Sequence, residues 1–154
     1  MNTWEPNANV QLLSFATAVE NLRCDLARPE PCLAYTYLVE PLWFADLFGA
    51  HLSHSMLMLI ADNRQRPQLR TLLSRHKKLQ AATWSTNRTM HDKTLIFPTS
   101  GVTYLTTANI TRGSWTLSLN TVARIQSPAF THALETQFHE HWRVCRILPR
   151  LQIV

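Results

Sequence analysis

His91, Lys93 and Asn109 are the residues of this 154-residue sequence whose types and spacing suit phosphoryl chemistry. His91 and Lys93 stand two apart, and on an extended strand such a pair projects from one face. The turn signal Pro98-Thr99-Ser100-Gly101 predicts a hairpin whose second strand ends near Asn109, which returns the carboxamide to the same patch. A neutral imidazole can attack phosphorus. An ammonium and a carboxamide N–H can hold the non-bridging oxygens as their charge grows. His-x-Lys alone is a weak signal and gains meaning only from the frame that would carry it.

That frame reads as alternating helices and strands. Val10 to Leu22 places Leu12, Leu13, Ala16, Val19 and Leu22 at a helical period and predicts an amphipathic helix. Cys32 to Val39, bounded by Pro31 and Pro41, predicts a buried strand. Pro41 suits a first helical turn, with Trp43, Phe44, Leu47, Phe48 and His51 on one side. Ser55 to Ile60 is apolar on both faces, as in a strand covered by helices above and below. Pro67 opens a third helix, turning Leu69, Leu72, Leu73 and His76 inward and Arg70, Arg75 and Lys77 outward.

Such alternation predicts α/β layers with right-handed parallel crossovers. From Leu79 onward short strands are expected around 81–85, 90–97, 102–107 and 121–126. Ser127 then caps, and Pro128 starts, a helix burying Phe130, Leu134, Phe138 and Trp142. No repeat or linker divides the chain. A single domain over 1–154 is expected, its core at about 10–142, with one set of site residues.

At these residues the sequence resembles the phospholipase D superfamily, whose repeat reads His-x-Lys-x4-Asp followed by Gly-Ser-x-Asn. His91-Asp92-Lys93 matches the first part, and Thr106-Thr107-Ala108-Asn109 stands where the second belongs. The resemblance covers roughly Val10 to Trp142, including the helical lead-in and the closing Phe138 to Trp142 helix. It implies a mixed sheet flanked by helices on both faces. It also implies His91 as nucleophile or acid, Lys93 and Asn109 as phosphate ligands, and Thr107 in place of the serine hydroxyl.

Three positions depart from the pattern: Pro98 replaces the aspartate, Thr106 the glycine, and Asn120 a glutamate that in many members orients the histidine. The retained His, Lys and Asn are similar to the reduced motif of tyrosyl-DNA phosphodiesterases. Asn120 is expected to accept the hydrogen bond that the glutamate would take, though more weakly. The superfamily reaction uses two histidines through a phosphohistidine, and this chain supplies one. A two-fold homodimer with the His91 side chains facing each other is therefore implied, with no metal and no cofactor.

Charge bears on the substrate. The chain carries a net +5, and six of its fifteen Lys and Arg lie between Arg64 and Lys78, which favours polyanions, nucleic acid first. Arg112 and Arg88 flank the motif as candidate contacts to a substrate backbone, and Trp84 and Trp115 as aromatics that could stack on bases. A phospholipid headgroup is the alternative substrate. A degenerate, non-enzymatic nucleic-acid-binding or assembly module is a third reading, favoured by Pro98 and Asn120.

His139 and His141, with nearby His132, suggest a metal, but on a helix residues two apart point about 200° apart and do not converge. Arg143, Arg146 and Arg150 would compensate a helix C-terminus or meet a phosphate-rich partner. Cys24, Cys32 and Cys145 are odd in number and fit reduced thiols. Met1 to Gln11 lacks the layout of a secretory signal, and the longest apolar run, Met56 to Ala61, is too short to span a bilayer. A soluble, intracellular protein is expected.

Overall fold

The computed structural model describes residues 8–84, 90–116 and 120–150. Strand β1 (Asn9–Leu13) leads into helix α1 (Phe15–Ala27), strand β2 (Cys32–Thr36), helix α2 (Pro41–His54) and strand β3 (Leu57–Ala61). A 3-10 turn (Asn63–Gln65) runs into α3 (Arg66–Arg75), followed by β4 (Leu79–Thr83). The chain then builds β5 (Thr94–Phe97), β6 (Val102–Thr106), the short α4 (Arg112–Thr116) and β7 (Val122–Gln126). Helix α5 (Pro128–Val144) and the two-residue β8 (Arg146–Ile147) complete it.

The described strands form one eight-stranded mixed sheet in the order β1-β7-β6-β5-β2-β3-β4-β8. β2, β3 and β4 are parallel, joined through α2 and α3, as the alternation predicted. β5 lies antiparallel to β2 and forms the expected hairpin with β6. Gly101 closes that hairpin at φ +71°, where a Cβ would also stand 3.1 Å from Pro128. β7 and β1 extend the sheet on this side, and β8 lies against β4 on the other.

Side-chain alternation along the central strands feeds two cores. Cys32, Ala34, Leu57 and Leu59 pack with Leu22, Phe44, Phe48, Leu69 and Leu72 of α1, α2 and α3. Leu33, Tyr35, Ile60 and Ile96 pack with Phe138 of α5 on the other face. Helices therefore cover both faces, in the expected fold class. α2 begins at Pro41 as predicted, and the Ser127 hydroxyl accepts from the Phe130 N–H at 3.1 Å to cap α5.

Other expectations are corrected. Val10 to Leu13 is not helical: it is an edge strand paired with β7, leaving Val10 54% and Leu12 78% exposed, and the helix starts at Phe15. β5 begins at Thr94, so His91 and Lys93 lie in the irregular segment before it and share no strand face. β6 ends at Thr106, three residues short of Asn109. Arg150 compensates a different helix from the one expected. Its guanidinium donates to the carbonyls of Leu73, His76, Lys77 and Leu79, at the end of α3.

A buried carboxylate ties α1 to the sheet. Asp25, 3% exposed, accepts from Arg124 Nε at 2.9 Å and Nη2 at 3.1 Å, from Arg28, and from the Tyr104 hydroxyl. Tyr104 sits in β6 and Arg124 in β7, so one side chain of α1 holds two strands. Burial, together with the hydrogen bond to Asp25, pushes the Tyr104 phenol well above its usual range. No helix among the described residues is long and apolar enough to cross a membrane.

Candidate active site

Strand order brings five chain segments to one edge of the sheet. β2 and β3 run parallel, so Tyr37 and Asp62, which follow them, emerge together. The antiparallel β5 contributes the residues before its start, His91 to Lys93, and β6 contributes those after its end, Thr107 to Asn109. Asn120 precedes β7. The edge beyond the carboxyl ends of parallel strands is where α/β sheets usually bind ligands.

His91 is exposed, and its ring lies on Tyr37 with centroids 4.5 Å apart and planes inclined by 24°. Lys93 Nζ is 5.9 Å from the centre of the same Tyr37 ring and donates to the His91 carbonyl at 3.0 Å. The Lys93 carbonyl accepts from Thr106 N–H at 3.2 Å, which joins this segment to the end of β6. Asn109 is half-buried. Its Oδ1 accepts from Leu38 N–H, next to Tyr37, at 3.0 Å, and its Nδ2 has no hydrogen-bond partner among the described residues.

A parallel bridge between Val39 and Ile110 holds Asn109 against the segment after β2, reinforced by the Thr36 hydroxyl accepting from Ile110 N–H at 3.1 Å. An imidazole, an ammonium and a carboxamide donor thus border one Tyr37-Leu38 step, without the shared strand face. Such a set can offer a nucleophile and two kinds of phosphate donor.

Asn120 does not do what was expected of it. Its Oδ1 accepts from the Thr107 hydroxyl at 2.9 Å and its Nδ2 donates to the Ser114 carbonyl at 2.8 Å, so both ends of the amide are used away from His91. The Thr107 hydroxyl also accepts from Thr121 N–H at 2.9 Å, which makes it a brace for the loop. Arg112 starts α4 with an exposed side chain, its backbone N–H donating to Glu40 at 3.3 Å. Trp115 is 2% exposed and packs in the core, and Trp84 sets an edge against His141. Arg88 lies outside the described residues.

Three residues at this edge escaped the motif reading. Tyr37 carries the His91 ring. Arg64 donates to the Tyr37 hydroxyl, with its guanidinium carbon 5.1 Å from the ring centre. Asp62, 4% exposed, accepts from Arg64 N–H at 3.1 Å, from Arg64 Nε at 3.0 Å and from Met90 N–H at 3.3 Å. The available signal was position: Tyr37 and Asp62 directly follow buried parallel strands. Arg64 was visible only as one member of a basic run.

Burial opposes charge on Asp62, but the hydrogen bonds from the Arg64 side chain and from the Arg64 and Met90 backbones together hold its carboxyl below the ordinary 3.8. A lowered folded value means that folding favours the ionised form. The stability that Asp62 contributes is therefore full above pH 3.8 and is lost as pH falls through the lower folded value. Melting temperatures followed from about pH 5 downward should fall less steeply in Asp62→Asn than in the parent. Equal slopes would show that the carboxylate is not linked to folding.

Cys32 and Cys145 are not poised as rival nucleophiles. Burial raises the Cys145 thiol to about 11 and pushes the fully enclosed Cys32 thiol far above its usual range. In the histidine-rich helix, His141 Nδ1 hydrogen-bonds the Tyr35 hydroxyl at 2.7 Å and His132 pairs with Glu135 at 3.5 Å. Among the described residues, no three His, Cys, Asp or Glu side chains gather as metal ligands would.

No curated protein matches the sequence. Among solved structures the chain is similar to NucT from Helicobacter pylori, with a TM-score of 0.78 at 12% identity over 92% of this chain and 100% of that one. It is also similar to Nuc from Salmonella typhimurium, a phospholipase D family member, with a TM-score of 0.69 at 15% identity over 94% and 99% of the two chains. A third likeness is to TrmBL2, described as an archaeal chromatin protein with a novel mode of DNA binding. There the TM-score is 0.64 at 11% identity, over 92% of this chain and 55% of that one. Residues 47–142, most of the chain, match the family model described as "Cardiolipin synthase, PLD-like domain". With the sheet order, the two helical layers and that match in hand, the chain belongs to the phospholipase D superfamily, as a member with a PLD-like domain.

Proposed function

We propose that this protein is a metal-independent phosphodiesterase acting on nucleic acid, through a phosphohistidine on His91, in a homodimer. The observation that carries the reading is the exposed His91 ring beside Lys93, with an Asn109 Nδ2 on the same sheet edge that has no hydrogen-bond partner among the described residues. In this account a ring nitrogen of His91 attacks phosphorus and the bond to the leaving oxygen breaks. The partner's His91 protonates that oxygen. Water, deprotonated by the same partner group, then attacks the phosphohistidine and releases the phosphomonoester and the free imidazole. Lys93 and the Asn109 amide neutralise and bond the non-bridging oxygens.

Nucleic acid is preferred as substrate because of the net +5 charge. The likeness to a chromatin protein described as binding DNA is in keeping with it. One observation favours a second reading, a binding module without catalysis: Asn120 is committed to Thr107 and Ser114 and gives His91 no hydrogen-bonding orienter.

The test is hydrolysis of bis(p-nitrophenyl) phosphate and of a labelled oligonucleotide in EDTA, with mass in solution measured in parallel. Cleavage that resists EDTA, weakens steeply with salt on the oligonucleotide, and comes from a species of twice the chain mass is the expected result. Oligonucleotide binding without cleavage would establish the binding module. Turnover confined to phospholipid vesicles would move the substrate class to lipid headgroups.

A further inference from the structure

A nucleophilic imidazole works only if its ring is held so that a nitrogen faces the reacting atom, and this is usually done by a hydrogen bond to the second nitrogen. In this chain that bond has no donor or acceptor among the described residues, and Asn120 is engaged elsewhere. What the His91 ring meets is the face of Tyr37, at 4.5 Å and 24°.

Tyr37 is itself anchored. Its hydroxyl accepts from Arg64, and Arg64 donates from Nε and from its backbone N–H to the buried Asp62. The other oxygen of Asp62 accepts from Met90 N–H, the residue before His91. The contacts close on themselves: Asp62 to Arg64, Arg64 to Tyr37, Tyr37 to the His91 ring, and the His91 backbone through Met90 back to Asp62. Both the ring and the main chain of His91 are thereby referred to one buried carboxylate.

We propose that Tyr37 is the positioning residue of this half-site, fixing the plane of the His91 imidazole by stacking, since no hydrogen-bonding partner for the ring stands among the described residues. The role rests on the phosphodiesterase reading above. Stacking restricts rotation of the imidazole about its bond to Cβ while leaving both nitrogens unblocked. It also has an electrostatic consequence: as the P–N bond forms the ring gains positive charge, and the face of a phenol ring attracts a cation. The benefit is therefore larger in the transition state than in the ground state, so it should be read in kcat and not in KM.

The experiment uses the full chain and bis(p-nitrophenyl) phosphate in EDTA, comparing the parent with Tyr37→Leu and Tyr37→Phe. Leucine keeps an apolar side chain but removes the ring face, and is expected to lower kcat by about 100-fold with KM and melting temperature nearly unchanged. Phenylalanine keeps the ring and should restore kcat to within about threefold of the parent. The His91 ring protons, followed by NMR, should show ring-current shielding in the parent and in Tyr37→Phe that is lost in Tyr37→Leu.

A leucine variant with parental kcat, or one changed only in KM, overturns the positioning role and leaves the phosphodiesterase reading standing. An unshielded His91 ring in the parent overturns it too. A parent with no EDTA-resistant turnover overturns the phosphodiesterase reading and the role with it, and the shielding then shows whether the stack itself exists.

Discussion

His91→Ala is expected to lower kcat/KM for phosphodiester cleavage by about 10³–10⁴-fold. The imidazole is the atom source of the P–N bond in the proposed pathway and, on the partner copy, the proton donor to the leaving group, so one substitution removes both functions from a symmetric dimer. Folding should hardly notice. The side chain is exposed and, among the described residues, its ring contact is the stack on Tyr37, so the variant should keep its stability to within about 1 kcal/mol. Steady-state kinetics beside a thermal melt separate the two effects. Cleavage that survives in a well-folded His91→Ala would exclude the phosphohistidine route. Cleavage lost together with the fold would show that His91 is structural.

The largest effect on stability is expected at Asp25. Removing a carboxylate that is 3% exposed leaves Arg124, whose side chain is 14% exposed, without its counter-ion, and leaves the buried Tyr104 hydroxyl without an acceptor. Breaking a buried pair from one side costs about 3–5 kcal/mol, because the remaining charge stays desolvated. For a chain of this size that corresponds to a melting point lower by roughly 10 °C. The exposed pair of Arg23 and Asp46, at 3.2 Å with side chains 46% and 59% accessible, supplies the contrast: Asp46→Ala should leave the melt almost unaltered. Urea or thermal unfolding of the two variants checks both. Equal, small losses would mean that Asp25 is solvated in solution and does not tie α1 to β6 and β7.

Much of the architecture was legible because burial has a period. Trp43, Phe44, Leu47 and Phe48 fall on one side of a helix that Pro41 starts, and Leu57 to Ala61 is apolar on both faces as a central parallel strand must be. The hairpin was visible in Pro98 to Gly101, and the last helix in Ser127-Pro128. The error at Val10 to Leu13 has a physical origin. An edge strand exposed along most of its length carries little hydrophobic alternation, and what stabilises it is backbone pairing to Val122–Gln126, far away in the chain. A spacing of Leu12, Leu13, Ala16, Val19 and Leu22 that looks helical joins two elements across Ser14.

The candidate site divides along the same line. Side-chain types at readable spacings, His91 with Lys93 and Asn109 beyond a hairpin turn, together with the helical frame around them, suggested phosphoryl chemistry and the superfamily. Which group braces the imidazole was not, because it depends on β2 lying between β5 and β3, an order set by crossovers and strand register. Tyr37 reaches His91 and Asp62 reaches Met90 through that neighbourhood alone. Asn120 illustrates the converse. Its position in the chain suggested a partner for His91, and packing of the loop gave its amide to Thr107 and Ser114 instead. Local spacing records which face of an element is buried, whereas contacts between distant segments form only when the whole sheet has closed its loops and chosen its neighbours.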